Sequence, residues 1–469
     1  MAEVSTHPAS GKENVGGRLK GQQQVLLFLF LFSVVTYLDR VNISIASTSI
    51  EHEYGLSRLE LGTIFSAFVV GYMLFQVPGG WLGDRFGHKK LLNVALIWWS
   101  VFTGMTALAG EPFLVSFVGV LAAFWILRFL VGCGEAAGYP CANGIIGDWF
   151  RLEDRGLAIG VMWAGMGVGS AATPPFVAWI MLHYGWRSAF HISAIIGIMM
   201  AICFDVGIPE RAAGDTRAKL VAPPMLEPLS DTLPTTLKTP WRLILRNRQL
   251  WFLTTSIFFF GYITYVYFFW FNPYLVDIRG ISLLRSSIFS ATPFVAMALT
   301  APFGGWLSDR LMRQAGKAAA RRRVAMGGLV SAALLIPMGA RIQNQYAAVA
   351  CFAMGAGSIY IAISSYFATA LDIFPQFGAT VSGVMNAGAS FGGIVAPILT
   401  PWVAKRYGWT SALTLAGLFS LIAAILWKFI GHDNVAKGGW HSARTLWNGA
   451  ESTSKVRAPQ ATGDGNSHF

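Results

Sequence analysis

The chain has 469 residues, of which 54% are hydrophobic and 12% are charged, and its formal net charge is +12. Soluble proteins carry about 25% charged residues, so this composition excludes a soluble globular fold and indicates a polytopic membrane protein. The positive charge does not indicate a nucleic-acid partner, because the basic residues lie in connections between apolar segments and not on a soluble domain.

Twelve apolar windows follow one another along the chain, each near the roughly 20 residues that a helix needs to cross a bilayer. They lie at about 25–46, 61–83, 91–110, 113–138, 156–181, 189–208, 250–275, 286–308, 324–341, 346–370, 380–404 and 411–431. The sequence therefore predicts an all-α polytopic membrane protein with twelve transmembrane helices. The polar residues 1–24 before the first window are predicted to form an N-terminal tail.

Basic residues concentrate in alternate connections between these windows. The connections Asp84–Lys90, Trp149–Arg155, Thr239–Arg248 and Asp309–Arg323 all fall on one side of the predicted bundle. Cytoplasmic connections carry an excess of Lys and Arg, so this side, which we call the basic side, is predicted to be cytoplasmic. Both termini are then predicted to lie in the cytoplasm.

An internal repeat sets the predicted architecture. GGWLGDR at Gly79–Arg85 returns as GGWLSDR at Gly304–Arg310, and the long motif at Gly160–Trp179 returns at Gly383–Trp402 with nearly the same shift. These matches predict two parallel six-helix repeats, residues 25–208 and 249–431, with the substrate site between them. The Pro-rich segment 209–248 is predicted to be a cytoplasmic linker and 432–469 a cytoplasmic tail.

Few charged residues lie deep inside the predicted helices. The stretch TYLDRVNISIA places Asp39 beside Arg40 in helix 1, and helix 4 carries Arg128 and Glu135. Each such charge costs about 2.5–3.5 kcal/mol at the bilayer centre, which favours a functional role. Two permanently charged arginines favour an anionic ligand. Two acids whose proton affinity depends on their neighbours favour coupling to protons.

A structural role for these charges stays open beside the functional one. Asp39 with Arg128, or Arg40 with Glu135, could form an ion pair that only joins helix 1 to helix 4. Buried ion pairs rarely stabilise a protein more than apolar packing does, so this alternative explains the four charges less well than a site.

The motifs around these charges resemble a known family. GWLGDRFGHKK at Gly80–Lys90 resembles the loop between helices 2 and 3 of the major facilitator superfamily, with a partial copy at Gly305–Arg313. YLDRVNISIA in helix 1 and LRFLVGCGEAAGYP in helix 4 resemble its anion:cation symporter family. That family includes proton-driven bacterial permeases for galactonate, glucarate and hexuronates, and animal transporters for sialic acid, phosphate and glutamate.

The resemblance implies a major facilitator fold and a set of site residues. In the acidic-sugar permeases the matching arginines, here Arg40 and Arg128, hold the substrate carboxylate, and the matching acids, Asp39 and Glu135, carry protons. The further expected substrate contacts are Tyr37, Tyr72 and Asn386, together with Ser364 and Ser365 near the midplane of helix 10. Asn386 could instead only join two helices. The expected conformational latch consists of Asp84, Arg85, Lys89, Asp309 and Arg310.

The expected function is import of a small organic anion, most simply a sugar acid, by proton symport with alternating access. The alternative substrates are another carboxylate, aromatic or dicarboxylic, and phosphate. The alternative direction is export by a protein of the same fold, and the alternative coupling ion is sodium. Sugar-acid permeases often carry a Pro after the helix 4 Glu, an Asn with an Arg close behind it, and a Gln in helix 5. Here these positions read Ala136-Ala137, Asn143-Gly144 and Met166, so the particular anion stays open. We expect no enzyme activity, cofactor or metal site, and a monomer in the lipid bilayer of a bacterial inner membrane.

Overall fold

The computed structural model describes residues 15–208, 239–281 and 283–430. These residues form helices and no β-strand, which confirms the all-α prediction. Eleven of the described helical segments are long and apolar enough to cross a membrane. Most of the predicted tails and the Pro-rich centre of the predicted linker lie outside the described residues.

The first half of the chain is built from eight helices. They are α1 (Val15–Tyr54), α2 (Arg58–Phe86), α3 (His88–Thr106), α4 (Pro112–Val118), α5 (Val120–Glu135), α6 (Gly138–Trp149), α7 (Arg155–Tyr184) and α8 (Trp186–Gly207). The 19 residues of α3 stand at the position of the third predicted span. At 1.5 Å per residue they extend about 28 Å, close to the thickness of a bilayer core.

The second half repeats this order after a short helix in the linker. Its helices are α9 (Trp241–Arg246), α10 (Arg248–Pro273), α11 (Leu283–Ala315), α12 (Lys317–Arg341), α13 (Gln345–Ile373), α14 (Gly378–Tyr407) and α15 (Trp409–Leu426). A single π-helical turn, Tyr274–Ile278, follows α10. Large apolar side chains such as Leu182, Leu299 and Ile398 remain exposed on these helices, as expected where a protein faces lipid.

The fourth span differs from the prediction of 113–138 and consists of α5 and α6, which together cover Val120–Trp149. The apolar residues of α4 extended the predicted window, but Gly119 has a φ of 79° and turns the chain between α4 and α5. Within the span the helix is interrupted just after Glu135. Pro140 has no N–H with which to donate to the Ala136 carbonyl, so one bond of the helical ladder is missing there.

The internal repeat is visible in the structure. Helices α7 and α14 each contain 30 residues and occupy equivalent positions in the two halves. Each is followed by a glycine with positive φ, 79° at Gly185 and 84° at Gly408, before a tryptophan starts the next helix. Across the interface between the halves, α7 packs against α11 and α14 packs against α2. The two contacts are therefore equivalent by the repeat.

On the basic side the two halves meet backbone to backbone. A Cβ atom placed on Gly80 of α2 would lie 2.3 Å from the Ala379 carbonyl oxygen of α14. The equivalent contact joins Gly305 of α11 to the Gly156 carbonyl oxygen of α7, where a Cβ atom would lie 2.0 Å away. Glycine at these two positions permits the close approach of the helices. The halves are thus in direct contact at their basic ends.

Candidate functional site

The charged residues of helix 1 and the fourth span meet between α1 and α5. Arg40 donates from Nε to Glu135 Oε1, and Glu135 is fully buried. One of the two ion pairs considered from the sequence is therefore present. The guanidinium carbon of Arg40 lies 4.4 Å from the ring centre of Tyr72 and 5.0 Å from that of Tyr37. Aromatic rings therefore surround this cation while it is held by one carboxylate.

Arg128 has no such partner. It is only 2% exposed, and its Nε and Nη1 atoms have no hydrogen-bond partner in the described part of the chain. Its guanidinium carbon lies 5.0 Å from the ring centre of Phe68, and that of Arg40 lies 5.3 Å from the same ring. A buried cation whose N–H groups lack acceptors is costly, so this arrangement favours an anion that approaches both arginines.

Two glycines explain how Phe68 comes to lie beside both arginines. A Cβ atom on Gly132 of α5 would lie 2.2 Å from the Phe68 carbonyl oxygen, and one on Gly71 of α2 would lie 2.3 Å from the Phe129 carbonyl oxygen. The backbones of α2 and α5 are therefore in contact along this stretch. The sequence analysis identified the small residues around Glu135 but not Phe68.

Asp39 points into the first half, toward α3. Its Oδ2 atom accepts a hydrogen bond of 3.1 Å from the Trp99 indole, and its Oδ1 atom has no partner among residues 15–208, 239–281 and 283–430. The side chain is fully buried. One turn further along α1, Asn42 donates to Ser193 Oγ at 3.1 Å. Asp39 is thus held by Trp99, which the sequence analysis did not select, and does not pair with Arg128.

One selected residue of the second half contacts a ring beside Arg40, and two others lie in α13. Asn386 of α14 donates from Nδ2 to the Tyr72 hydroxyl at 3.3 Å, so this bond crosses between the halves. In α13, Ser364 donates to the Ala301 carbonyl at 3.2 Å. The hydroxyl of the neighbouring Ser365 is buried and has no partner within the described residues. Of the two serines, Ser365 is the one with an uncommitted polar group.

The two acids of the predicted latch both cross between the halves. Asp84 at the end of α2 accepts from the amides of Ala379, at 3.3 Å, and Thr380, at 2.7 Å, at the start of α14. It also accepts from the Thr380 hydroxyl at 2.5 Å. Carboxylates stabilise a helix N-terminus through its free N–H groups and its dipole. Asp84 therefore caps a helix of the opposite half.

Asp309 makes the equivalent contact in the other direction. From α11 it accepts from the amides of Gly156, at 3.1 Å, and Leu157, at 2.7 Å, in the first turn of α7. Each half therefore supplies one carboxylate that caps one helix of the other half on the basic side.

The basic residues of the predicted latch make their contacts within their own halves. The Arg85 guanidinium lies 5.4 Å from the Trp81 ring centre and that of Arg310 lies 5.4 Å from the ring centre of Trp306. Lys89 donates to the Asp205 carbonyl at 2.9 Å, within its own half. None of these contacts crosses between the halves.

A different base contacts the latch. His88 lies between two carboxylates, with Nε2 3.0 Å from Asp84 Oδ1 and Nδ1 2.6 Å from Asp148 Oδ2. The sequence analysis quoted His88 within its motif but did not select it. Gly87, with a φ of 99°, separates the helix of Asp84 from that of His88, so the contact depends on this turn and the spacing of the two residues along the chain was no signal for it.

In the parts of the chain that the structure describes, no group of three or more His, Cys, Asp or Glu side chains is arranged to hold a metal ion. The four cysteines are all free thiols. The site between the halves is therefore built from arginines, carboxylates, aromatic rings and hydroxyl groups.

Comparison with known proteins gives a consistent set of matches. The model of the Major Facilitator Superfamily matches residues 29–387 and 291–458. The chain is 31% identical to the hexuronate transporter of Bacillus subtilis, over 87% of this chain and 94% of that one. It is 30% identical to the probable sulfoacetate transporter SauU of Cupriavidus necator, over 83% and 89% of the two chains.

Among solved structures, the proton:xylose symporter XylE bound to 6-bromo-6-deoxy-D-glucose matches with a TM-score of 0.71 over 88% of this chain and 96% of that one. The sequence identity in that match is 15%, so it concerns the fold alone.

Proposed function

The chain belongs to the major facilitator superfamily, and we propose that within it the protein imports a small organic anion, first of all a sugar acid, by proton symport. The observation that carries the proposal is Arg128, a buried cation whose Nε and Nη1 atoms have no partner among the described residues. A carboxylate with two oxygens matches the two-pronged geometry of a guanidinium group. Similarity to a hexuronate transporter supports the same class of substrate.

The proposed binding mode uses both arginines and the polar groups around them. Arg128 binds the substrate carboxylate, and Arg40 lies near the same Phe68 ring, close enough for a second anionic oxygen. The hydroxyls of Tyr37, Tyr72 and Ser365 and the amide of Asn386 are then available to the hydroxyl groups of a sugar acid. Asn386 and Tyr72 come from different halves, so a ligand between them would contact both halves at once.

Proton coupling is proposed to work through the Arg40–Glu135 pair. An arriving anion competes with Glu135 for Arg40, and a carboxylate that loses its positive partner in a buried place binds a proton more tightly. By reciprocity, protonation of Glu135 frees Arg40 and strengthens substrate binding by the same factor. Asp39, buried beside Trp99 with one uncommitted oxygen, is proposed as the second proton carrier.

Release toward the basic side requires the two halves to separate there. The caps that Asp84 and Asp309 provide would break in that step, since each joins one half to the other. We therefore propose that both caps are present when the site is open on the side opposite the basic side. Both caps break when the site opens on the basic side.

A small dianion is the second candidate substrate. Two guanidinium groups approach the face of one phenyl ring, and two cations favour a ligand with two anionic groups. The relative named as a probable sulfoacetate transporter supports this alternative, because sulfoacetate carries a sulfonate and a carboxylate. A dianion would use both arginines fully and need fewer hydroxyl contacts.

The test is an uptake panel with the full-length protein in proteoliposomes. Hexuronates, aldonates, aldarates, sulfoacetate, aromatic acids and phosphate are offered under an imposed pH gradient without sodium, and internal pH is recorded. We expect saturable uptake of one anion class together with proton entry. Uptake that needs sodium and moves no protons would overturn proton coupling, and uptake of neutral sugars but of no anion would overturn the substrate class.

A further inference from the structure

His88 occupies a position that constrains its protonation state. Its two ring nitrogens approach two different carboxylates, Asp84 of α2 at 3.0 Å and Asp148 of α6 at 2.6 Å, and the residue is 3% exposed. A neutral imidazole has one N–H and can donate to only one acceptor, whereas the imidazolium donates from both nitrogens. Holding both carboxylates at once therefore requires the charged form.

One of these carboxylates is the cap of α14. The imidazole approaches the same oxygen, Oδ1, that accepts from the Ala379 amide, while Oδ2 accepts from the amide and hydroxyl of Thr380. If Nε2 loses its proton, a lone pair faces Asp84 Oδ1 and the carboxylate is repelled from its present orientation. The protonation of His88 thus bears directly on a contact between the halves.

The second half contains an equivalent cluster with a different base. Asp309 caps α7 as Asp84 caps α14, and Asp372 at the end of α13 corresponds to Asp148 at the end of α6. Two bases lie beside Asp372: Lys317, whose Nζ is 3.7 Å from Oδ1, and the buried Arg321, whose Nη1 is 3.1 Å from Oδ2. Arginine stays charged at every pH that a protein tolerates. The second cluster therefore keeps a permanently charged base, which the first cluster lacks.

The charged neighbours of His88 along the chain are Arg85, Lys89 and Lys90, Arg155 begins α7, and the thiol of Cys141 on α6 lies beside the cluster. Lys89 is directed to Asp205 of α8, and Arg155 donates to the carbonyls of Gly147 and Phe150. Burial by itself disfavours charge on the imidazole, but Asp148 and Asp84 outweigh it and raise the pKa of His88 to about 9. In water the pKa of histidine is about 6.5.

We propose that His88 is a positioning residue of the transport cycle, which orients Asp84 when it is protonated and so keeps the basic side of the site closed. Proton loss at His88 weakens the cap on α14 and permits opening. The inference goes beyond the proposed function, because it needs the movement of the two halves but neither the proposed substrate nor the proposed coupling ion.

The sign of the pH effect follows from the two environments of the imidazole. Opening admits water to the cluster, so the pKa of His88 moves back toward its ordinary value. Protons therefore bind more tightly to the closed state. The closed state has its full advantage below about pH 6.5 and loses it as the pH rises through about 9. Between these limits the equilibrium shifts by up to about tenfold per pH unit.

The experiment measures the separation of the halves on the basic side without any substrate. Spin labels are attached at Arg151→Cys in the first half and Pro375→Cys in the second, both exposed residues, in the full chain after replacement of its four cysteines. Distance distributions are recorded from pH 6 to 10 in nanodiscs. The doubly labelled protein with His88 in place is compared with its His88→Arg and His88→Gln variants. His191→Gln, at an exposed histidine, is the control.

With His88 in place, we expect the longer distance to gain population as the pH rises. His88→Arg should remain closed across the range, because it keeps two donors and cannot lose its charge. His88→Gln should be more open at low pH and insensitive to pH, and His191→Gln should titrate like the parent. A pH-independent parent, or a His88→Arg variant that titrates like the parent, would overturn the proposal. Because His88→Arg retains the charge, it answers the question even if His88→Gln fails to fold.

Discussion

Arg40 and Arg128 face the same phenyl ring but differ in their partners: Arg40 is paired with Glu135, and Arg128 has Nε and Nη1 uncommitted among the described residues. Glu135 follows Arg128 by seven residues, which is about 10.5 Å along α5. Of the two ion pairs that the sequence analysis considered, Arg40 with Glu135 is present and Asp39 with Arg128 is not. Because their partners differ, the two arginines can be tested separately by mutagenesis.

Arg128→Met is expected to abolish substrate binding without loss of folding stability. Truncating one partner of a buried charge pair costs about 2–5 kcal/mol, so the Kd should rise by about 30-fold or more. The substrate-free protein should melt no lower than the parent, since the substitution removes a buried cation whose Nε and Nη1 atoms lack acceptors among the described residues. Calorimetric titration and thermal melting in detergent measure the two effects.

Arg128→Lys should also bind poorly, because lysine presents a point charge and not a two-pronged donor. The control is Arg341→Met, at an exposed arginine whose Nη1 donates to the Pro337 carbonyl of its own helix. Wild-type affinity in Arg128→Met would remove Arg128 from the proposed site. A large fall in its melting temperature would instead indicate a structural role.

Glu135→Gln is expected to separate exchange from accumulation. The glutamine imitates the protonated acid, so substrate should still exchange across the membrane, while uphill uptake driven by a pH gradient should disappear. Counterflow and gradient-driven uptake in proteoliposomes measure the two activities. Glu111→Gln, at an exposed glutamate before α4, provides the matched control. Undiminished accumulation in Glu135→Gln would exclude Glu135 as the coupling acid.

Asp309→Ala is expected to open the basic side. Loss of a helix cap costs about 0.5–2 kcal/mol, so the closed state should lose population by about 2- to 30-fold relative to the open one. The label pair at positions 151 and 375 reports the change as a longer distance. Arg310→Ala, whose side chain stacks on Trp306, should leave the distribution unchanged. Equal effects of both substitutions would mean that the cap does not hold the halves together.

The orientation in the membrane is open to labelling. Cysteines at His52 and Tyr184, which the structure places at the ends of helices opposite the basic side, should react with an impermeant reagent added outside intact cells. A cysteine at Ser230, in the predicted cytoplasmic linker, should not react. Reaction of the Ser230 site from outside would reverse the predicted topology.

The sequence was sufficient for the architecture because repetition and hydropathy are local properties. The copies of GGWLGDR and of the long motif beginning at Gly160 correctly predicted equivalent helices, and α7 and α14 even share their length. Hydropathy failed for the fourth span, since the apolar residues of α4 cannot be distinguished from a membrane span by composition. The turn at Gly119 depends on a backbone angle that no hydropathy window contains.

The partners of individual side chains could not be predicted, because they depend on the rotation and spacing of neighbouring helices. Phe68 lies beside both arginines because glycines bring α2 and α5 into backbone contact. Asp84 and Asp309 were selected from the motif, but their acceptor role at helix N-termini of the opposite half required the arrangement of both repeats. The contacts of His88 and Trp99 and the Arg40–Glu135 pair depend on the packing of the helices in the same way.

The glycine contacts on the basic side have a consequence for the energy of the cycle. Where Gly80 meets Ala379 and Gly305 meets Gly156, the two halves touch through backbone atoms and no side chain stands between them. Few side-chain rotamers need to rearrange at these two contacts when the halves separate, so the contacts add little to the barrier and favour a balance between the two orientations. A carrier powered only by gradients needs that balance, since a deep minimum on either side would stall it.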